Sequence, residues 1–488
     1  MRFGSDAQLV DDRAPSCPWW VQALDLLSVV LIVAGLALIV RAGPRFAIGS
    51  LFISIQSPWR VLAWAAAIVI VRHLFYRQPS LPRRLSPYAA PIAHSRPLGA
   101  VAIPFVASRA AVLAVAYLAL VLVGNPPEPA RPSFSDNQFL NLVTKWDGEW
   151  YYNIAVDGYR WSEGARLTGS SPPTVGRPDA RLAFFPAYPM LMRAAGWIAG
   201  NPIAGGLLVS LAAFLWALTY VFRLARDEVG DAEAAGAVLL LAFYPFSIFY
   251  GVIYTESLFL LAAAGGLYHF RRAEWLKAAV WGVLAGLTRP NGFLLSLILA
   301  AAAVERLWRA RRAGTLDRHE WRRASIGGFV AVTPVVGVMI YSVFCWSLSG
   351  DPLMWMRLHQ FWGRGERTLL QLIADRMEKM SDLGVVGYIR EMPIDVVNNC
   401  AALLAVLAIW PVFRRLGLAL GLFVALNVIP PLLSGTTLSV ARLTSTLFPL
   451  FIWLAIRVRG ERRASLVGAF ALLQGFFAVL FFTWRRFY

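Results

Sequence analysis

The run Lys145-Trp146-Asp147-Gly148-Glu149-Trp150-Tyr151-Tyr152 sets two carboxylates and one cation among four aromatic rings. Such a cluster suits a sugar: an aromatic face packs against the apolar side of the ring, and a carboxylate accepts the proton of a hydroxyl. Asp147 and Glu149 are two residues apart, and the intervening Gly148 argues against the regular strand that would align them. One of the two is therefore expected to act, not a shared dyad. The aromatic rings alone would also suit an interfacial belt. A carboxylate near hydrocarbon is costly, however, and its presence points to chemistry.

Three further charges interrupt apolar sequence. Glu256 is the only charged residue between Glu233 and Arg271, in the turn Tyr254-Thr255-Glu256-Ser257. It reads either as a first-turn acid favoured by the helix dipole or as a side chain directed into a polar cavity. Arg289 opens the turn Arg289-Pro290-Asn291-Gly292, and Arg442 follows Gly435-Thr436-Thr437. Guanidinium groups in such places suit a bound phosphate. Lys145 is a third candidate cation, with snorkelling to the interface as its alternative.

The elements that position these residues are membrane helices. Of 488 residues 58% are hydrophobic and 15% charged, with repeated uncharged runs long enough to span a bilayer. About thirteen crossings are expected, centred near Val30, Ala66, Val115, Ala212, Phe243, Ala262, Val283, Leu297, Val336, Val406, Val424, Leu450 and Leu472. The fold class is an all-α polytopic membrane protein. Its expected parts are an N-terminal tail with two transmembrane helices (1–97), a catalytic membrane core (98–346) whose first polar loop is 125–181, a second polar loop (347–397) and C-terminal helices (398–488).

Charge orients these parts. Arg72, Arg77, Arg83, Arg84 and Arg96 share one segment free of acids, and seven arginines lie between Arg306 and Arg323. Both stretches are expected on the cytoplasmic side, whereas the loops 125–181 and 350–396, each with seven acids and six bases, are expected opposite. Asp147, Glu256, Arg289 and Arg442 then share the extracytoplasmic face. Arg41, Arg45 and Arg60 do not follow this scheme. Residues 364–380 carry Leu369, Leu370, Ile373, Met377 and Met380 at helical spacing against Asp375, Arg376 and Glu378. They read as an interfacial helix, either lying on the bilayer or acting as a lid.

Several classes are excluded. The net charge of +18 resides at helix ends and not on a face interleaved with aromatics, so nucleic acid is not an expected partner. Cys17, Cys345 and Cys400 support neither a disulfide framework nor a zinc site, and His73, His94, His269, His319 and His359 are scattered. No phosphate-binding or dinucleotide glycine motif occurs. The first apolar segment follows Asp6, Asp11 and Asp12 instead of a basic stretch, so an uncleaved first helix is expected.

The ordered set Trp146-Asp147-Gly148-Glu149-Trp150-Tyr151, Ile154-Ala155, Gly158-Tyr159, Phe184-Phe185-Pro186-Ala187-Tyr188-Pro189, Tyr244-Pro245, Tyr254-Thr255-Glu256-Ser257 and Arg289-Pro290-Asn291-Gly292 resembles the PIG-V-type mannosyltransferases. The resemblance covers roughly Asn141 to Leu297 and extends less clearly to Arg442 and Phe448-Pro449. It implies a GT-C-type membrane glycosyltransferase that uses a polyprenyl-phosphate sugar, usually mannose, with Asp147 as catalytic base. Glu256 and Arg289 carry over as active-site residues. The implied partners are that donor, a lipid or glycolipid acceptor and membrane lipids; the implied place is a cell membrane crossed many times, with the site outside the cytoplasm (the endoplasmic reticulum lumen in a eukaryote).

A prenyl phosphate leaves as a stable anion, so its oxygen needs electrostatic stabilisation and the second carboxylic acid of glycoside hydrolases is not obligatory. The acceptor hydroxyl needs one base, here Asp147, and direct attack inverts the anomeric centre. Arg289, with Arg442 or Lys145, is expected to hold the phosphate. Trp146, Trp150 and Tyr188 are expected to pack on the sugar, and Glu149 and Asn291 to contact substrate. No cofactor is required, and a divalent cation bridging Asp147 and phosphate is compatible with the scheme. The competing reading is a transporter or flippase of lipid-linked substrates, which intramembrane Glu256 and Arg289 would also suit.

Overall fold

Apolar runs interrupted by proline, glycine and single charges give helices of unequal length. A computed structural model describes residues 18–40, 45–48, 51–54, 58–76, 98–126, 132–161, 180–362 and 368–485. Asp6, Asp11, Asp12, Cys17, Arg41, Arg77, Arg83, Arg84, His94, Arg96 and Arg364, together with positions 127–131 and 162–179 of the first polar loop, lie outside the described residues.

The chain forms two compact units, 1–94 and 95–488. In the first, the helices Trp19–Val40 and Pro58–Phe75 pack together, and the Arg72 Nε donates to Asp25 Oδ1 at 2.9 Å. Arg72 is thus a buried ion-pair partner. This unit also holds a short antiparallel hairpin, Arg45–Ile48 with Leu51–Ser54, the one pair of strands among the described residues.

All thirteen expected apolar centres fall in separate helices. Among the described residues, five helices meet the length and hydropathy needed to cross a membrane: Gly99–Leu122, Pro202–Val229, Arg318–Ser349, Pro393–Leu416 and Gly460–Phe482. A sixth span arises if Asp231–Phe243 and the 3-10 turn Pro245–Gly251, bent by 79°, count as one. Several apolar helices are shortened by the polar turns: Trp275–Thr288 stops at 14 residues before Pro290, and Phe448–Arg457 has 10.

The bent pair is held open by a buried guanidinium. The helix Asp231–Phe243 ends before Pro245, which leaves carbonyl groups without helical partners. Arg109, inside the helix Leu98–Leu122, donates to the carbonyl oxygens of Ser247 (2.6 Å) and Ala242 (3.1 Å) and to Ser247 Oγ (3.2 Å). Gln474 Nε2 adds hydrogen bonds to Ala242 O, Tyr244 O and Ser247 Oγ. This clamp fixes the chain that runs directly into Tyr254-Thr255-Glu256.

Arg289 is placed by a close helix crossing. Gly282 and Gly286 lie four residues apart on Trp275–Thr288, which packs against Thr333–Ser349. A methyl group built on Gly286 would run into the Pro334 carbonyl oxygen, and one on Gly337 into that of Val283. The backbones approach because no side chain separates them. Gly286→Val is accordingly expected to cost about 1–3 kcal/mol, seen as earlier thermal unfolding in detergent; an unaltered melting point would show that the crossing tolerates bulk.

The expected amphipathic segment is the helix Leu369–Glu391, beginning later and running longer than the sequence pattern indicates. Thr368 and Gln371 form a capping box at its start, and Gly384, at φ 66°, kinks it. Arg376 Nε lies 2.6 Å from Asp395 Oδ2 at the start of Pro393–Leu416. Leu370, Ile373, Met377 and Met380 are exposed along its length.

Candidate active site

The acidic turn is built by an unusual backbone conformation. Trp146 adopts φ 53°, a left-handed region that costs a non-glycine residue about 1 kcal/mol or more. It reverses the chain so that Asp147 precedes the helix Gly148–Asp157. Tyr254 holds this turn from across the fold: its Oη accepts from the Asp147 amide at 3.0 Å and donates to the Lys145 carbonyl at 3.1 Å. Trp146 Nε1 donates to Phe481 O at 3.3 Å, and its ring packs on Trp484. Tyr254→Phe removes both hydrogen bonds and is expected to slow any reaction at Asp147 roughly tenfold through mispositioning. The check is the turnover rate beside the melting temperature; unaltered turnover would remove Tyr254 as a positioning residue.

Two arginines converge on two carboxylates beside this turn. Glu256 begins the helix Glu256–Arg271 and is only 1% exposed. Its Oε1 lies 3.2 Å from Arg289 NH1 and 3.3 Å from Arg442 Nε. Arg442 NH1 in turn donates to Asp147 Oδ2 at 2.7 Å. Burying a lone carboxylate is prohibitive, so Glu256 is tolerable only with these cations. The four charges cancel.

The turn carrying Arg442 is itself pinned. Asn398 Oδ1 accepts from the Ala441 amide at 3.0 Å, the hydroxyls of Tyr244 and Thr444 are 2.7 Å apart, and Tyr250 Oη donates to Ser445 O at 2.7 Å. Asn291 Nδ2 donates to Asn427 Oδ1 at 2.7 Å, which ties the Arg289 turn to the helix Leu418–Leu433. Four segments far apart in sequence thereby meet at one end of the second unit. At the other ends of its helices lie pairs such as Arg272 with Asp227 and Arg306 with Glu320, both at 2.7 Å.

A cavity of about 470 Å³ opens over the cluster. Asp147, Arg289, Asn291 and Arg442 line it on the polar side, and Phe184, Phe293, Pro430, Pro431 and Met356 are among its apolar walls. Glu256 lies behind its two arginines. His359 and Gln360, from the second polar loop, also border it, and the exposed helix Leu369–Glu391 contributes nothing to the wall.

The remaining residues singled out in the sequence stand elsewhere. Trp150 stacks on Phe184, which lines the cavity. Glu149 is half-buried outside the lining, and burial raises its carboxyl pKa above the ordinary value. Lys145 is buried with its Nζ over the Trp484 ring at 4.9 Å. Tyr188 is fully buried, its hydroxyl bonded to Gly206 O and Ser210 Oγ. Lys145, Trp146 and Tyr188 therefore border no part of the cavity. Among the described residues no group of three His, Cys, Asp or Glu is arranged to hold a metal ion.

Sequence reasoning passed over Arg109, Asn398, Asn427, the positioning role of Tyr254 and the Gly282/Gly286 pair. The last had a readable signal, two glycines four apart in an apolar helix. A buried Arg109 inside an apolar run was also visible as an intramembrane charge.

Known proteins bear on this geometry. The family model described as Mannosyltransferase (PIG-V) matches residues 122–355. GPI mannosyltransferase 2 of Drosophila pseudoobscura pseudoobscura is 24% identical over 204 residues, which span 36% of this chain and 41% of the relative. An oligosaccharyltransferase of Archaeoglobus fulgidus, solved with zinc and sulfate, aligns with 76% of this chain and 53% of its own at 15% identity and a TM-score of 0.39. The archaeal oligosaccharyltransferase AglB in complex with an inhibitory peptide and a dolichol-phosphate aligns at 12% identity and a TM-score of 0.35, covering 77% of this chain and 55% of its own. The match thus spans about two fifths of the curated relative's length and about half of the oligosaccharyltransferases'. Residues 122–355, which hold Asp147, Glu256 and Arg289, carry the sequence pattern of the PIG-V mannosyltransferase family.

Proposed function

We propose that the protein is a GT-C-type membrane glycosyltransferase that moves a hexose, mannose in the first instance, from a polyprenyl-phosphate donor to the hydroxyl of a lipid or glycolipid acceptor, on the extracytoplasmic face. The observation that carries this reading is one carboxylate, Asp147, beside two guanidinium groups that a buried Glu256 holds at the edge of a half-apolar cavity. The PIG-V family match supports the reaction class. The asymmetry of charge, with basic ends opposite the site, supports the face.

The acceptor hydroxyl attacks C1 of the sugar from the side opposite the phosphate. The new C1–O bond forms as the bond from C1 to the phosphate oxygen breaks, and that electron pair stays on the phosphate. Asp147 takes the hydroxyl proton, and the anomeric configuration inverts. Arg289 and Arg442 neutralise charge gathering on the departing phosphate, in a site whose low polarity strengthens the effect. Phe293, Pro430, Pro431 and Met356 offer an apolar wall against which the first isoprene units can lie. Phe184, backed by Trp150, is the ring placed to face the sugar.

The test is direct. Purified protein, offered a panel of polyprenyl-phosphate hexoses, is expected to release prenyl phosphate only when an acceptor lipid is present. Release without acceptor, or none with any hexose, overturns the reading. Arg289→Ala is expected to raise the donor KM at least about tenfold while leaving the acceptor KM within about twofold, since a charge-assisted hydrogen bond contributes about 1.5–3 kcal/mol. An unaltered donor KM would make Arg289 structural.

A further inference from the structure

We propose that Arg442 masks Asp147 in the empty enzyme, and that the donor's phosphate draws Arg442 away, so that the donor must bind before the acceptor hydroxyl can be activated. This rests on the reading of Asp147 as the base and adds an order of events to it. The Asp147 Oδ2 that would take a proton receives the Arg442 NH1 at 2.7 Å. While it does so, that oxygen's lone pair is engaged and is not open to an incoming hydroxyl.

The geometry supplies a second resting place for the guanidinium. Arg442 Nε already lies 3.3 Å from Glu256 Oε1. Glu256 Oε2, buried beside it, has no hydrogen-bond partner among the described residues. A small rotation brings Arg442 against both oxygens of Glu256 in the fork arrangement that guanidinium and carboxylate favour. That rotation leaves the outer N–H groups for a phosphate and frees Asp147. Arg289 cannot perform the exchange, because its hydrogen bond runs to Glu256 alone among the carboxylates of the cluster.

Charge bookkeeping favours the same sequence. The empty cluster is neutral, with Asp147 and Glu256 against Arg289 and Arg442. A sugar phosphodiester brings one negative charge. As the hydroxyl proton passes to Asp147, the carboxylate charge disappears there and reappears on the prenyl phosphate, with total charge unchanged. Arg442 follows the charge from base to leaving group. An acceptor arriving first would find the base occupied.

Carbodiimide coupling to an amine, read by mass spectrometry on the intact protein in detergent, reports the mask without requiring turnover. A short-chain prenyl phosphate is expected to raise labelling of Asp147 roughly tenfold, the occlusion that one charge-assisted hydrogen bond provides, and the matching prenyl alcohol to leave it unaltered. In Arg442→Ala, labelling is expected to be high without phosphate and to rise no further. Constant labelling of half-buried Glu149 reports an intact fold in each sample. Phosphate that protects Asp147 or leaves its labelling unchanged in the wild-type protein overturns the exchange, whatever the variant does. Loss of sugar transfer with an intact labelling switch would instead strike the catalytic reading.

Discussion

Asp147→Asn is expected to lower sugar transfer by about 100- to 10,000-fold, the contribution of a positioned general base, while the protein remains folded. Asparagine keeps an oxygen where Arg442 NH1 donates, and the backbone amide that Tyr254 holds is untouched. It lacks only the capacity to accept a proton at neutral pH. The measurement is transfer of labelled hexose from a prenyl-phosphate donor, with thermal unfolding in detergent as control. A folded variant that works at the wild-type rate removes Asp147 from the reaction.

Arg109→Leu is expected to be the most damaging substitution outside the cavity, costing about 2–5 kcal/mol, because it strands buried carbonyl groups that have no water to turn to. Ser247 O loses its 2.6 Å donor, and Ala242 O keeps Gln474 Nε2 and Ser247 Oγ. The bend between Asp231–Phe243 and Pro245–Gly251 then has no counter-charge, and Glu256 a few residues on loses its fixed origin. Reduced yield from membranes and a lower melting temperature are the readouts. Wild-type thermal stability would show that Gln474 and Ser247 suffice without the guanidinium.

How much of this was readable in sequence depended on the kind of signal. Asp147, Glu256, Arg289 and Arg442 stood out because charge in apolar surroundings is expensive and must be repaid by a partner. The structure brings all four within one ion-pair network. Aromatic residues gave no such constraint. Tyr188 packs as well in a core as on a sugar, and Trp146 finds its neighbour in Trp484, at the far end of the chain. Lys145 was readable as a cation but not as one covered by an indole ring. Hydropathy located thirteen helices yet not their lengths, since Pro245, Pro290 and the Pro430-Pro431 pair end or bend helices according to tertiary contacts. Asn398 and Asn427, which hold the turns bearing Arg442 and Asn291, are polar residues in apolar helices whose partners only the fold reveals.

The brevity of Trp275–Thr288 reaches beyond the protein. Fourteen residues rise about 21 Å, some 9 Å less than typical bilayer hydrocarbon. Leu276 and Val280 are exposed on this helix, where acyl chains would meet them in a bilayer. Hydrophobic mismatch of this sign is relieved by local thinning of the lipid. In a bilayer the leaflet around Arg289 is therefore expected to dip toward this helix end, which would give a buried headgroup a route to the guanidinium within the membrane plane.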